Sequence, residues 1–219
     1  MKIHVVTPLG RPENARAVYA GLMRAGCDRW HVVTHQPHQQ IDIPHDVNVV
    51  NASPRGLAAH DLSVGKEPFD WCYSKLNAFI ERLDTLHGLN VAYQGDDYYG
   101  FLCDDDGVDE AFFCKLRESV EDCIVGPDVI FCSMHYAPPG KPGNKNADLI
   151  LSSSSDVKVG MVGLEQYYVR GDVLRQHRFR EKEHAADGML ATELLKMREC
   201  VFVPDVFVKF NALRPGWWS

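Results

Sequence analysis

Three consecutive carboxylates, Asp104-Asp105-Asp106, end an aromatic and apolar run, Tyr98-Tyr99-Gly100-Phe101-Leu102-Cys103. Asp104 and Asp106 are two residues apart, so at a strand end or tight turn they can converge on one hard divalent cation. Mg²⁺ is usually held by one or two carboxylates together with phosphate oxygens of the substrate. The pattern therefore suggests a metal-bridged diphosphate. The same three aspartates also suit a solvated acidic turn before a helix near Asp109, where carboxylates favour the helix N-terminus. Arg11, behind Thr7-Pro8, brings a guanidinium whose donor fork suits phosphate or a planar base, next to a hydroxyl. Lys75 and Asn77 offer an amine and an amide for a phosphate and a hydroxyl. His35-x-x-His38 has two metal-ligand types but no third at a recognisable spacing.

These residues need elements to carry them. A short apolar run without polar alternation predicts a strand buried on both faces, as in a mainly parallel sheet. Unpaired aspartates are costly to bury, so they belong where that strand emerges, the edge at which open α/β sheets bind ligands. The chain opens with a strand over Lys2–Thr7 and a loop at Pro8–Pro12. A helix over Glu13–Arg24 follows, stopped by Gly26, then strands at Trp30–Thr34 and Val47–Asn51. Strand, helix, strand at this spacing is a βαβ opening with a parallel crossover. Asp70–Leu83 has a helical period through Trp71, Leu76, Phe79, Ile80 and Leu83, with Lys75 and Asn77 among them.

Further helices are predicted over Ala111–Val120, near Asp172–His177, and from about Ala185 or Asp187 to Met197. Strands are predicted at Asp128–Ser133, within Val157–Arg170 (strongest at Tyr167–Val169), at Cys200–Val203 and at Val206–Phe210. Residues 137–146, rich in Pro and Gly, read as a long loop of the kind that often serves as a lid. That loop and the tail pair Trp217-Trp218 suit contact with a ligand ring, plain packing or disorder equally.

Composition narrows the classes. The 219 residues, 45% hydrophobic and 24% charged, suit one α/β domain. A net charge of −7 with no Lys/Arg-rich run gives no support to a nucleic-acid partner. Neither a signal peptide nor a transmembrane run is expected. The seven scattered cysteines form no CxxC pair. Reduced, buried thiols and a cytoplasmic location are the expectation.

Taken in order, several of these segments resemble those of GT-A-fold glycosyltransferases, family 2-like enzymes that use a nucleotide-diphosphate sugar. Val5-Val6-Thr7-Pro8-Leu9-Gly10-Arg11 is similar to the first strand and nucleotide-contacting loop. Tyr73-Ser74-Lys75-Leu76-Asn77 sits where many members carry a basic residue and an Asn. Phe101–Asp106 looks like the DxD strand end, and Val162–Gly171 like the acceptor-side strand. Ala186-Asp187-Gly188 falls where inverting members place their base, with Ala186 in place of an acidic residue often found there. The likeness runs from about residue 3 to about 210.

The resemblance implies one GT-A-type α/β domain, its mainly parallel central sheet flanked by helices. Residues 1–107 form a Rossmann-like nucleotide-sugar-binding half, and 108–219 the smaller acceptor and catalytic half. It implies sugar transfer from a UDP- or GDP-sugar to a glycan or other hydroxyl acceptor, with Mn²⁺ or Mg²⁺. The metal falls to Asp106, with Asp104 as a direct or water-mediated ligand or a ribose contact. Thr7, Pro8, Arg11, Lys75, Asn77, Asp104, Asp105 and Glu165 become substrate-binding, and Asp187 the general base, with Glu165 in reserve. Two other classes share parts of the pattern. A nucleotidyltransferase would want a Gly-rich basic loop where only Gly10 and Arg11 stand. A non-catalytic nucleotide-sugar-binding protein would not need the carboxylates.

Overall fold

A computed structural model describes residues 1–34, 41–44, 47–52, 70–88, 95–121, 123, 126–136 and 148–213. The His35/His38 pair, the 137–146 loop and Trp217-Trp218 lie outside them. The described strands are β1 (Ile3–Pro8), β2 (Arg29–Thr34), β3 (Asn48–Asn51), β4 (Tyr98–Phe101), β5 (Gly107–Val108), β6 (Val129–His135), β7 (Asp148–Leu149), β8 (Tyr167–Arg170) and β9 (Cys200–Lys209). The α-helices are α1 (Ala15–Arg24), α2 (Asp70–Gly88), α3 (Phe112–Glu121), α4 (Gly171–Leu174) and α5 (Ala186–Met197).

One sheet runs β3-β2-β1-β4-β8-β6-β9-β5, with β7 added to β6. The first four strands are parallel, as the βαβ opening predicts. Only β8 intervenes antiparallel between β4 and β6, and β9 runs parallel to β6. The carboxyl ends of β1, β4, β6 and β9 therefore share one edge.

Side-chain alternation divides the core into two layers. Val6, Val33, Tyr99, Phe101, Phe131, Tyr167 and Val169 face α2 and α5, meeting Leu76, Phe79, Ile80, Leu190 and Leu194. Their neighbours Val5, Val32, Tyr98, Ile130 and Tyr168 face α1 and α3, meeting Val18, Leu22, Phe112, Phe113 and Leu116. Apolar residues on both faces explain the uninterrupted runs in the sequence. Gly100 is required by this packing: a Cβ there would lie 2.0 Å from Cε1 of Tyr168, its partner in the β4–β8 ladder.

Within the α2-side layer, His4 Nδ1 meets His31 Nε2 at 2.9 Å, and the Asn48 amide meets His31 Nδ1 at 2.9 Å. Asn48 Nδ2 can only donate, which places the His31 proton on Nε2, where it is shared with His4. Burial pushes His4 down to about 4 and His31 well below the usual range, so both stay neutral.

Two segments differ from the sequence expectation. Residues 157–166 are not a strand; they turn through a 3₁₀ segment, Leu164–Gln166, whose three side chains are buried. The strands expected at Cys200–Val203 and Val206–Phe210 are one strand, β9. Its register against β6 jumps between Cys132 and Ser133, so that Pro204, Asp205 and Val206 form an irregularity. Proline lacks a ladder donor and is tolerated at such a bulge. No helix among the described residues is long and apolar enough to cross a membrane.

Candidate active site

Two loops meet at the shared carboxyl edge, one after β1 and one after β4. The first is held open by hydrogen bonds to the second. Asp104 Oδ2 accepts from the backbone N–H groups of Gly10 (2.6 Å) and Arg11 (2.5 Å). Its Oδ1 accepts from the Arg11 guanidinium at 2.6 Å, and the same nitrogen lies 3.2 Å from Asp105 Oδ2. Asn14 adds a bond from its amide to the Asp104 carbonyl. Lys75, on α2 and only 2% exposed, donates to the Leu9 carbonyl at 2.8 Å. Asp104 and Lys75 thus grip residues 9–11 from two sides.

Asp106 is different. Its Oδ1 accepts from the Asn211 N–H at 2.6 Å, while its buried Oδ2 takes no N–H donor; the carboxyl also shares a hydrogen bond with Glu165, and the residue is 1% exposed. Donor atoms of Cys103, Asp106 and Glu165 all lie within 4.8 Å of one another. Burial, then repulsion from Glu165 and a hydrogen bond shared with it, holds the Asp106 carboxyl well above the usual range, against the pull of the Asn211 N–H. The Cys103 thiol is likewise pushed up, first by a hydrogen bond with Cys72, then by burial and the two carboxylates. Gly163 makes room for this cluster, since a Cβ there would stand 2.9 Å from Glu165 Oε2. Two buried carboxyl groups held against each other, one oxygen lacking any N–H donor, are a donor set that fits a divalent cation.

Asp187 sits in the first turn of α5. Its Oδ1 accepts from the N–H of Gly188 at 2.7 Å, and the backbone carbonyl of Asp187 accepts from the Tyr167 hydroxyl at 3.3 Å. Tyr73, whose hydroxyl donates to the His184 carbonyl at 3.4 Å, also faces the carboxylate. Burial raises Asp187 to about 6; Glu165 pushes the same way, while the Gly188 N–H and Tyr73 oppose. A carboxylate ionised at neutral pH with enhanced proton affinity is what a general base requires.

The structure brings Arg11, Asp104 and Asp105 together, sets Asp106 against Glu165, and places Asp187 within electrostatic reach of Glu165. It turns Thr7 into the core. The Thr7 hydroxyl is fully buried and accepts from Trp30 Nε1 at 2.9 Å, while Pro8 ends β1 in the ladder with Val33. Asp104, expected at the metal, is turned to the 9–11 loop instead. Asn77, expected at a hydroxyl, uses its amide on the segment before α5. Its Oδ1 accepts from Phe179 N, and its Nδ2 donates to Phe179 O and Glu181 Oε1, each at 2.9 Å. Asn77→Ala should therefore cost stability, about 2–4 kcal/mol for these buried bonds, without weakening ligand binding; urea unfolding and calorimetry would separate the two. Sequence reasoning missed Cys103, Tyr73 and Asn211. The only signal for the first was its place directly before the aspartates.

No protein-family model matches the sequence, and no curated protein sequence matches it. Solved structures do. Residues 1–349 of S. aureus TarS in complex with UDP align over 96% of this chain and 61% of that one, at TM-score 0.59 and 11% identity. The corresponding complex with UDP-GlcNAc aligns over 96% and 59%, at 0.59 and 12%. The mannosyltransferase PcManGT from Pyrobaculum calidifontis, in complex with GDP-Man and Mn²⁺, aligns over 99% and 58%, at 0.58 and 14%. The present chain spans about three-fifths of the length of these aligned chains, and 36% of the longer S. aureus TarS chain. At such identities the likeness concerns the fold: the chain has a GT-A-like α/β architecture.

Proposed function

We propose that this GT-A-like chain transfers a sugar from a nucleoside-diphosphate sugar to a hydroxyl acceptor, with inversion at the anomeric carbon. The observation that carries the reading is the meeting, at one sheet edge, of two carboxylates in contrasting surroundings. Asp106 is sealed in against Glu165, with one oxygen that takes no N–H donor. Asp187 is half-buried and tuned to about 6. Environments that drive titratable groups apart mark division of labour in a catalytic site. The fold shared with complexes of UDP, UDP-GlcNAc and GDP-Man supports a nucleotide-sugar donor.

Asp106 and Glu165 would hold a divalent cation, Mn²⁺ or Mg²⁺. Such an ion supplies charge neutralisation for a departing nucleoside diphosphate. Asp104 keeps residues 9–11 in position, and the half-exposed guanidinium of Arg11 adds positive charge to a site otherwise rich in carboxylates. Lys75 fixes the loop through the Leu9 carbonyl. Asp187 takes the proton of the acceptor hydroxyl as its oxygen attacks, and Tyr73 and Tyr167 keep water from levelling its proton affinity.

Calorimetric titration with UDP and GDP, with and without Mn²⁺, beside Asp106→Asn, tests the reading. One nucleotide should bind, need the metal, and lose binding in the variant. If neither binds under any condition, the donor-site assignment fails.

A further inference from the structure

We propose that Cys103, Asp106 and Glu165 form one mixed sulfur–oxygen cation site that selects a borderline transition ion over Mg²⁺. The proposal deepens the transferase reading by naming the ligand set and the class of ion, and it concerns ion binding in the absence of nucleotide.

Three observations carry it. Donor atoms from the three side chains lie within 4.8 Å of one another. Donors bound at about 2.0–2.3 Å to one ion lie roughly 3–4.5 Å apart, so small side-chain rotations close the set. Asp106 Oδ2 is buried with no N–H donor, its carboxyl held instead against that of Glu165, although the rest of the turn is supplied with donors: Asp104 accepts three bonds and Asp106 Oδ1 a fourth. Such an oxygen is the feature a cation would satisfy. The third ligand type decides which cation. Mg²⁺ prefers six oxygens in a near-ideal octahedron and gives up water reluctantly. Thiolate donors favour softer ions, along the order Mn²⁺ < Co²⁺ < Zn²⁺ for a given site. Gly163, by lacking a Cβ, leaves Glu165 Oε2 its present place, which a Cβ would crowd at 2.9 Å.

Asp104 and Asp105 are not part of this set, because their carboxylates face Arg11. The ion would therefore sit on the Asp106 side of the acidic turn, toward Glu165, rather than between the first and third aspartates.

The test is a titration of the whole chain with Co²⁺, without nucleotide, read by absorption and calorimetry, with Mg²⁺ in parallel. One equivalent of Co²⁺ should bring a sulfur-to-metal charge-transfer band in the near ultraviolet, and Mg²⁺ should bind at least about tenfold more weakly. Cys103→Ser should abolish the band. Loss of a ligand should cost affinity no less than the ~10–100-fold typical of outer-shell partners, and Glu165→Gln should show that loss with the band retained. Cys72→Ser, altering the thiol beside Cys103, should keep the band. Glu165→Gln and Cys72→Ser leave the Cys103 thiol in place, so the result does not hang on the folding of Cys103→Ser. Absence of the band at saturating Co²⁺, its survival in Cys103→Ser, or unchanged affinity in Glu165→Gln overturns the proposal. Such a failure leaves the transferase reading to the UDP and GDP titrations.

Discussion

Asp187→Asn should lower turnover by about 10²–10⁴-fold, the usual contribution of a positioned general base, and leave donor affinity unchanged. Asparagine keeps the shape and can still accept the Gly188 N–H bond, so the substitution isolates proton transfer. The wild-type pH profile provides an independent check. The active form of a base is deprotonated, and Asp187 sits at about 6. Rate should therefore climb with pH up to about 6 and level off above it, with about a tenth of the plateau at pH 5. Tyr73 and Tyr167, which face it, are pushed above the usual tyrosine range by burial and introduce no second ascending limb.

The stability sign runs the other way. A folded-state pKa above the ordinary carboxylate value means the native state binds the proton more tightly. Its contribution then falls as pH rises from about 4 to 6. Removing the charge should make Asp187→Asn more stable at pH 7, by about 2 kcal/mol after allowing for partial solvent screening. Lower activity with a higher melting temperature is the signature of a group kept for chemistry. A variant that retains full turnover would move the base to Glu165.

Asp104→Ala should cost about 2–4 kcal/mol of stability, because two backbone N–H groups and a guanidinium lose a common charged acceptor. Donor affinity should drop with it, since the 9–11 loop loses its fastening. Ion binding without nucleotide should not change. That last measurement separates a loop-holding carboxylate from a metal ligand, the role that spacing alone suggests. Weakened Mn²⁺ or Co²⁺ binding in Asp104→Ala would return Asp104 to the metal.

Elements with strong local periodicity were legible. The βαβ opening, α2 with its Leu76–Phe79–Ile80–Leu83 face, and α5 announce themselves through apolar spacing, and the aspartates emerge at the edge that burial cost demands. Distant partners were not legible. Nothing near Asp104 in sequence says that its acceptors are filled by residues over 90 positions earlier, nor that Asn77 closes on Phe179. The 157–166 stretch carries strand-like apolar residues, but its backbone turns to bury Leu164, Glu165 and Gln166. Pro204-Asp205 looks like a break between two strands, yet the sheet absorbs it as a bulge. Glu165 was recognisable as a candidate only by residue type; its pairing with Asp106 is a tertiary fact.

The bond from the Asn211 N–H to Asp106 spans 105 positions, and the N–H of Leu213 closes on the Asp105 carbonyl at 2.8 Å. Contacts of such sequence separation form late, because a long loop must first be closed. During synthesis the parallel strands β1 to β4 can assemble while the chain is still being made, yet the acidic turn would have none of these far-downstream donors until β9 docks. An unfinished chain therefore carries an acidic turn whose Asp106 carboxyl and Asp105 carbonyl still lack these two donors.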